Sequence, residues 1–181
     1  LDFKQGKTHF QNSIAGLTAR ERKLFAQQYL TLANAFMRRE TDLPGVMADL
    51  EKAVLLDANN FNINFELGLV YLTSKRGTAA VGLFRELAHR NRKDDTIWCN
   101  LAEAFTLVND YASALNCLTR VLKSEKRDTD KINAISAYKT EVEKEYEQYK
   151  FLLARKRINP QDTANIKRLA RLYLGNGNYD L

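Results

Sequence analysis

The chain has 181 residues, of which 45% are hydrophobic, and only 8 Gly and 2 Pro, a composition that favours an ordered helical protein over extensive disorder. No apolar run approaches the roughly 20 residues of a membrane-spanning helix, so we expect no membrane insertion. The chain has 28 basic and 22 acidic residues, so its formal charge is +6. This excess of positive charge indicates that an anionic partner has to be considered. The cysteines, Cys99 and Cys117, are too few for a disulfide framework, which favours an intracellular protein.

Residues 1–17 show no clear hydrophobic period and predict a loop or the remnant of a preceding unit. They contain neither an initiating methionine nor a signal-peptide apolar region, so we expect the chain to be a piece of a longer protein. Thr18 and Glu21 have the spacing of a capping box, which predicts the start of a helix. Its apolar stripe recurs at steps of three and four, at Leu24, Phe25, Tyr29, Leu32, Ala33 and Phe36.

Pro44 marks the start of a second helix, because a proline in the first turn loses no intrahelical hydrogen bond. The predicted core residues of this helix are Val46, Met47, Leu50, Ala53 and Val54.

One pattern then occurs twice between Phe61 and Asp128, with an offset of 34 residues. A sustained period of this length is typical of a solenoid of stacked helix pairs, in which no unit buries its apolar face alone. Small residues recur at fixed places, Gly68 with Ala80 and Ala102 with Ala114, and they allow the paired helices to approach closely.

This pattern resembles the tetratricopeptide repeat family, whose unit reads W-x2-L-G-x2-Y, then A-x3-F, then A and P. The matching residues of the three units are Tyr29, Leu32, Ala33, Phe36, Leu50 and Ala53; Leu67, Gly68, Tyr71, Ala80, Phe84 and Leu87; and Trp98, Leu101, Ala102, Phe105, Ala114, Leu118 and Val121. The closing proline is absent from all three. The resemblance implies an all-α, right-handed superhelix of antiparallel helix pairs, with repeats at 26–60, 61–94 and 95–128 after an N-terminal segment 1–25.

The chain after residue 128 has two interpretations. The register predicts a degenerate repeat at 129–162 and a truncated half repeat at 163–181. However, the expected turn at 141–145 contains no Gly, Pro, Asn or Asp, and a three-four apolar spacing continues unbroken through it. We therefore favour one long helix from about Lys131 to Arg157, whose end would need a further partner, with the hairpin as the alternative.

The sequence contains no recognisable catalytic constellation. His9 and His89 are isolated, and there is no nucleophile elbow or phosphate-binding glycine loop. We therefore expect a protein that is not an enzyme and that needs no metal or cofactor.

Binding is the remaining function, and the resemblance implies where it occurs. In tetratricopeptide arrays the first helices line a concave groove. Carried over to this chain, the groove residues are Asn34, Phe65, Leu69, Leu72, Asn100, Glu103, Asn133, Lys167 and Arg171, with Cys99 and Thr106 beside them. We expect apolar residues to anchor a peptide or helix of a partner protein and asparagines to bind its backbone, as in a scaffold or adaptor. For the apolar residues, packing within the fold is the alternative.

Two other functions remain open. The basic residues cluster at predicted helix ends, where cations complement the helix dipole; if stacking aligned them, they would form a ridge for RNA or an anionic surface. The members of this basic ridge are Arg90, Arg92, Lys93, Lys123, Lys126, Arg127, Arg155, Lys156 and Arg157. Nucleic acid is the less favoured partner, because most aromatic residues are predicted to pack in the core. The third function is self-association through apolar edges at the C-terminal half repeat.

Overall fold

The computed structural model describes residues 3–37, 43–123 and 129–175, and within these ranges every regular element is an α-helix. The helices are α1 (Phe3–Ser13), α2 (Ala19–Met37), α3 (Leu43–Leu56), α4 (Phe61–Thr73), α5 (Gly77–Arg90), α6 (Asp95–Leu107), α7 (Tyr111–Leu122), α8 (Thr129–Ile158) and α9 (Thr163–Gly175). In the ranges described, none is long and apolar enough to span a bilayer.

The N-terminal segment corrects the prediction from sequence, because residues Phe3–Ser13 form helix α1 and not a loop. Phe10 of this helix contacts Tyr29 of α2 edge-on, with the ring centroids 6.1 Å apart. The turn after α1 is closed by Arg22, whose guanidinium donates to the carbonyl oxygens of Ile14 at 3.1 Å and Leu17 at 3.2 Å. The Phe10–Tyr29 contact and the hydrogen bonds of Arg22 hold α1 against α2. Neither interaction produces a periodic hydrophobic pattern, so periodicity did not predict this helix.

The predicted capping box at the start of α2 is confirmed. The backbone N–H of Glu21 donates to Thr18 Oγ1 at 3.3 Å, and the backbone N–H of Thr18 donates to Glu21 Oε2 at 2.8 Å. The Thr18 side chain donates to the same carboxylate, and these bonds lower the pKa of Glu21. The chain therefore enters α2 with its first donors satisfied.

The predicted apolar stripe of α2 is partly wrong. Ala33 is buried as predicted, but Leu24, Phe25 and Leu32 are exposed, and Ala26 and Leu30 complete the buried face. Ala26, Leu30 and Ala33 also follow a three-four spacing. Periodicity alone therefore does not decide which of the two faces of α2 is buried. Small alanines on this face permit the close packing of α2 against α3. The side chain of Phe36 lies outside the described residues.

The helix boundaries repeat with the period of the sequence. α3, α5 and α7 begin at residues 43, 77 and 111, and α4, α6, α8 and α9 begin at 61, 95, 129 and 163, so both series advance by 34 residues. This arrangement of consecutive helices is compatible with a helical repeat.

The turns after α4 and α6 repeat as well. Lys75 and Asn109 both adopt left-handed backbone, with φ of 57° and 59°. In each turn the next N–H donates back to a carbonyl of the helix, Arg76 to Tyr71 at 2.8 Å and Asp110 to the carbonyl of Phe105 at 2.9 Å. This is the Schellman C-cap, and it ends both helices at the same place in the period.

The chain divides into two compact units, Leu1–Val70 and Tyr71–Leu181. In the first unit α2 packs against α3, and Val46, Met47, Leu50 and Ala53 are buried as predicted, whereas Val54 is half-buried. In the second unit each helix from α5 to α9 packs against the next. The small residues expected at close contacts, Gly68, Ala80, Ala102 and Ala114, are all buried.

α8 is one continuous helix of 30 residues, which confirms the long-helix prediction and excludes a hairpin. Tyr146 and Tyr149 pack on the buried Tyr111 of α7, with ring centroids 5.8 Å and 5.5 Å away. The interaction with Tyr111 holds the middle of α8 against α7.

The C-terminal part of α8, which we expected to need a further partner, packs against α9. The Nδ2 of the buried Asn165 donates to the carbonyl oxygen of Leu152 at 3.0 Å. Arg155 forms an ion pair with Asp162 in the turn between the two helices, at 2.8 Å. The turn therefore fixes α9 beside the end of α8.

Candidate functional site

A cleft of about 510 Å³ lies between α6 and α8 in the second unit. Its α6 wall contains Cys99, Asn100, Glu103 and Thr106, which are groove positions in the resemblance described above. The remaining lining residues are Tyr138, Glu141, Val142 and Glu145 from α8, together with Leu107 and Lys75. The structure thus brings these four groove positions together in one cleft.

The orientation of α6 follows from its cap and its core. Asp94 caps the helix by accepting a hydrogen bond from the N–H of Thr96 at 3.0 Å. Ile97, Leu101 and Ala104 are buried, whereas Cys99, Asn100 and Glu103 lie on another face of α6 and line the cleft.

The cleft is acidic. Glu103, Glu141 and Glu145 line it, and Lys75 is its only basic lining residue among those described. Burial, and after it the neighbouring carboxylate of Glu141, raises the pKa of Glu145. Among the described residues, no group of three or more His, Cys, Asp and Glu side chains is placed to hold a metal ion. Carboxylates of this kind can accept charge-assisted hydrogen bonds from a cationic group.

Tyr138 forms the half-buried aromatic part of the cleft. Burial, together with the smaller effects of the charges of Glu103, Glu145 and Glu141, raises the pKa of Tyr138 to about 12, against a lowering hydrogen bond with Thr106. The Thr106 hydroxyl also donates to the carbonyl oxygen of Glu103 at 2.7 Å. Tyr138 therefore stays neutral and is held against α6.

The predicted apolar anchors do not all lie at the surface. Leu72 is only 5% exposed, so its assignment to the groove surface is wrong and it belongs to the core. Thr106, 34 residues later and likewise in the last turn of its helix, is also buried. Phe65 and Leu69 are half-buried, and Phe65 stacks on the exposed Phe61 with the ring centroids 5.7 Å apart.

The other predicted groove residues are not part of the α6/α8 cleft. Asn34 is half-buried on α2 of the first unit, whereas Asn133 on α8 and Lys167 and Arg171 on α9 are exposed in the second.

The basic ridge is only partly described, since Lys126 and Arg127 lie outside the described residues. Its other members are exposed, and Arg90 pairs with Glu86 just as Arg155 pairs with Asp162. Arg155, Lys156 and Arg157 occupy the last turn of the continuous α8, and not the end of a second helix as predicted. Arg90 and the three cations of α8 lie in last turns, where they complement the helix dipole, whereas Arg92 and Lys93 lie in the turn before α6.

Sequence reasoning missed the α8 wall of the cleft. Tyr138, Glu141, Val142 and Glu145 are spaced i, i+3, i+4 and i+7, so they share one face of a continuous helix. The resemblance places the groove on the first helices, whereas Val142 and Glu145 lie beyond residue 141, the counterpart of the last residue of α6. A helical wheel drawn for the favoured long helix places these four residues on one face, and that is the signal from which the wall could have been predicted.

No protein-family model matches this sequence, and a search of curated proteins found no similar one. The functional interpretation therefore depends on the clefts themselves.

Proposed function

We propose that this chain is a non-enzymatic scaffold of the tetratricopeptide type that binds a basic peptide segment of a partner protein in the α6/α8 cleft. The observation that carries the proposal is the convergence of Glu103, Glu141 and Glu145 beside the groove positions of α6. The repeat type is supported by the 34-residue period, which governs both the sequence motif and the helix starts.

The lining residues suit an extended peptide with a lysine or arginine side chain. The amide of Asn100 can both donate to and accept from a peptide backbone. The ring of Tyr138 can cover the aliphatic stem of the basic side chain while the carboxylates pair with its charged end. Because a bound cation favours the charged carboxylate, it would also lower the raised pKa of Glu145.

The proposal is tested by comparing two double variants with the same charge change on the same helix. The first is Glu141→Gln with Glu145→Gln, which neutralises the α8 wall. The control is Glu143→Gln with Glu147→Gln, whose carboxylates lie outside the cleft and pair with Lys139 and Lys150. Partners would be captured with the intact chain, identified by mass spectrometry, and measured again by calorimetry with each variant.

We expect the cleft variant to weaken partner binding by at least about tenfold, since hydrogen bonds between charged groups are the strong ones. The control variant should bind within about twofold of the native chain, because exposed ion pairs contribute little. Equal losses in both variants would show that general charge, and not the cleft, drives binding.

The alternative function, binding of RNA or an anionic surface, has its own signature. It predicts that the cleft variant retains its partner, whereas charge reversal at Arg155, Lys156 and Arg157 abolishes binding. It also predicts an affinity that falls steeply with salt as counterions are released from phosphates. The exposed last turn of α8 is the observation that keeps this alternative open.

A further inference from the structure

A second cleft, also of about 510 Å³, lies between α5, α6 and α7, and it is cationic. α5 and the turn after it contribute Arg85, His89 and Arg92, and α7 contributes Arg120. Within the described part of the chain, no aspartate or glutamate lines this cleft. It is the electrostatic opposite of the α6/α8 cleft.

The arginines of this cationic cleft are not neutralised within the described ranges. Arg85, Arg92 and Arg120 form no ion pair with a carboxylate there, whereas the nearby Arg90 pairs with Glu86. Each guanidinium has several N–H donors in a planar fork, and that fork matches a carboxylate. The cleft therefore presents unused donors to a ligand.

Aromatic rings hold two of these guanidinium groups in place. Arg120 lies 4.3 Å from the centroid of the Trp98 ring, and Arg85 lies 5.5 Å from the centroid of Phe105. The carbonyl oxygen of Arg92 accepts from Arg120 at 3.2 Å and from the Trp98 indole N–H at 3.1 Å. Side chains that are already ordered lose less entropy when they bind a ligand.

The two clefts use opposite sides of α6. At about 100° per residue, Trp98 and Phe105 lie roughly half a turn from Asn100 and Glu103. Accordingly, Trp98 and Phe105 line the cationic cleft, whereas Asn100 and Glu103 line the α6/α8 cleft. The cationic cleft is therefore independent of the proposed function, and a failure at one cleft says nothing about the other.

We propose that the cationic cleft binds an acidic peptide segment of a partner protein, whose Asp or Glu carboxylates pair with Arg85, Arg92 and Arg120. The buried Ala88 and Leu101 form an apolar part of the lining, which suits an aliphatic side chain between the carboxylates. The volume lies within the range of sites that hold small ligands and side chains.

Charge and ring geometry favour a peptide over nucleic acid in this cleft. Single strands bind by stacking bases on aromatic side chains along an extended basic track. Here Arg120 and Arg85 lie over Trp98 and Phe105, and Phe105 is only 6% exposed. The exposed Glu86 on α5 also interrupts the positive surface beside the cleft.

Trp98 provides a local probe, because it is the only tryptophan of the chain. The intact chain would be titrated with the blocked peptide Glu-Glu-Leu-Glu-Glu, with its glutamine counterpart, and with an oligouridylate of equal charge. Tryptophan emission reports the place of binding, and calorimetry measures affinity. The variants are Arg85→Gln, Arg120→Gln and, as a control with the same charge change, Arg157→Gln on α8.

We expect the acidic peptide to change Trp98 emission in a saturable manner and its glutamine counterpart to have no effect. Arg85→Gln and Arg120→Gln should each weaken binding by at least about tenfold, and Arg157→Gln by less than about twofold. Within the described residues the Arg85 guanidinium forms no hydrogen bond or ion pair and contacts the Phe105 ring, so its variant should retain the native circular dichroism spectrum even if Arg120→Gln disturbs the Trp98 contact.

Three results would overturn the proposal. One is the absence of saturable binding by the acidic peptide, and another is an equal loss with Arg157→Gln, which would indicate net charge alone. The third is oligouridylate binding that is tighter than peptide binding and is weakened by Arg85→Gln, which would assign the cleft to nucleic acid.

Discussion

Gly77, the first residue of α5, approaches Leu107 at the end of α6 so closely that a Cβ added to the glycine would lie 2.8 Å from the Cβ of Leu107. It would also lie 2.8 Å from Cγ1 of Val108 and 3.3 Å from the Leu107 carbonyl carbon. Because part of this obstruction is backbone, the contact cannot be relieved by a change of rotamer alone. Gly77 thus sets the distance between two consecutive helices.

Gly77→Ala should therefore destabilise the second unit. We expect the free energy of unfolding to fall by about 1–3 kcal/mol, the usual range for overpacking. Gly82→Ala on the same helix is the matched control, because among the described residues no atom outside the local helix backbone lies within 4 Å of a Cβ added there. This control should raise the free energy of unfolding by about 0.4–1 kcal/mol, because alanine favours the helix more than glycine does and restricts the unfolded chain. Urea unfolding of both variants checks the pair, and a neutral Gly77→Ala would contradict the close approach.

The raised pKa of Tyr138, about 12, predicts a loss of stability at alkaline pH. The folded chain keeps the phenol proton where the unfolded chain releases it, near pH 10. The contribution of the protonated Tyr138 to the free energy of unfolding is therefore fully present below about pH 10, and it is lost as the pH rises toward 12.

Tyr138→Phe removes this titrating group. We expect the unfolding free energy of the variant to decline less than that of the native chain over the same alkaline range. Denaturant titrations at a series of pH values provide the comparison. Parallel declines in the two proteins would show that Tyr138 does not titrate differently on unfolding.

Local chemistry was predictable from the sequence where neighbouring residues determine it. Thr18 and Glu21 are three positions apart, and their mutual hydrogen bonds need no other part of the chain. The 34-residue period likewise predicted consecutive helices, because the motif records the residues at which helices pack closely. The continuous helix α8 was also predictable from neighbouring residues, because positions 141–145, where a repeat would turn, contain no Gly, Pro, Asn or Asp.

Positions decided by tertiary packing could not be predicted in this way. Ala26 and Leu24 both lie on three-four stripes of α2, and only the approach of α3 selects the alanine. Family position predicts a surface location for Leu72, whereas packing in the core leaves it only 5% exposed. The acidic cleft depends on which face of α8 meets α6, and that is a relationship between distant segments.

Glu145 should reduce stability at neutral pH. Burial and the charge of Glu141 raise its pKa, so the folded state favours the protonated form. The favourable contribution is present below the unfolded pKa of about 4.5 and is lost as the pH rises through the folded value. Glu145→Gln mimics the protonated form, so we expect a gain of up to about 0.5 kcal/mol at pH 7.

The gain from Glu145→Gln should disappear in acid, when the native carboxyl is itself protonated. Glu147→Gln is the control, since Glu147 is exposed and pairs with Lys150. Thermal unfolding of the three proteins at neutral and acidic pH provides the measurement. A loss of stability with Glu145→Gln at pH 7 would contradict the predicted sign.

The two cysteines should differ strongly in reactivity. Burial, and after it the charge of Asp110, raises the pKa of Cys117 to about 11, although Arg120 and Arg85 act in the opposite direction. Cys117 is buried, whereas Cys99 is half-buried in the α6/α8 cleft. Since the thiolate is the reactive form, a pKa two units above the ordinary value leaves about 100-fold less of it at neutral pH.

Iodoacetamide should therefore modify Cys99 first and Cys117 only after denaturation. Mass spectrometry of digested samples over time would follow both sites. Cys99→Ser should abolish the fast phase, while Cys117→Ser should leave it intact. A basic peptide bound in the α6/α8 cleft should slow the reaction of Cys99, whereas an acidic peptide in the cationic cleft should not. Because Cys99 and Trp98 are adjacent on α6 but line different clefts, these two probes report separately on the two binding proposals.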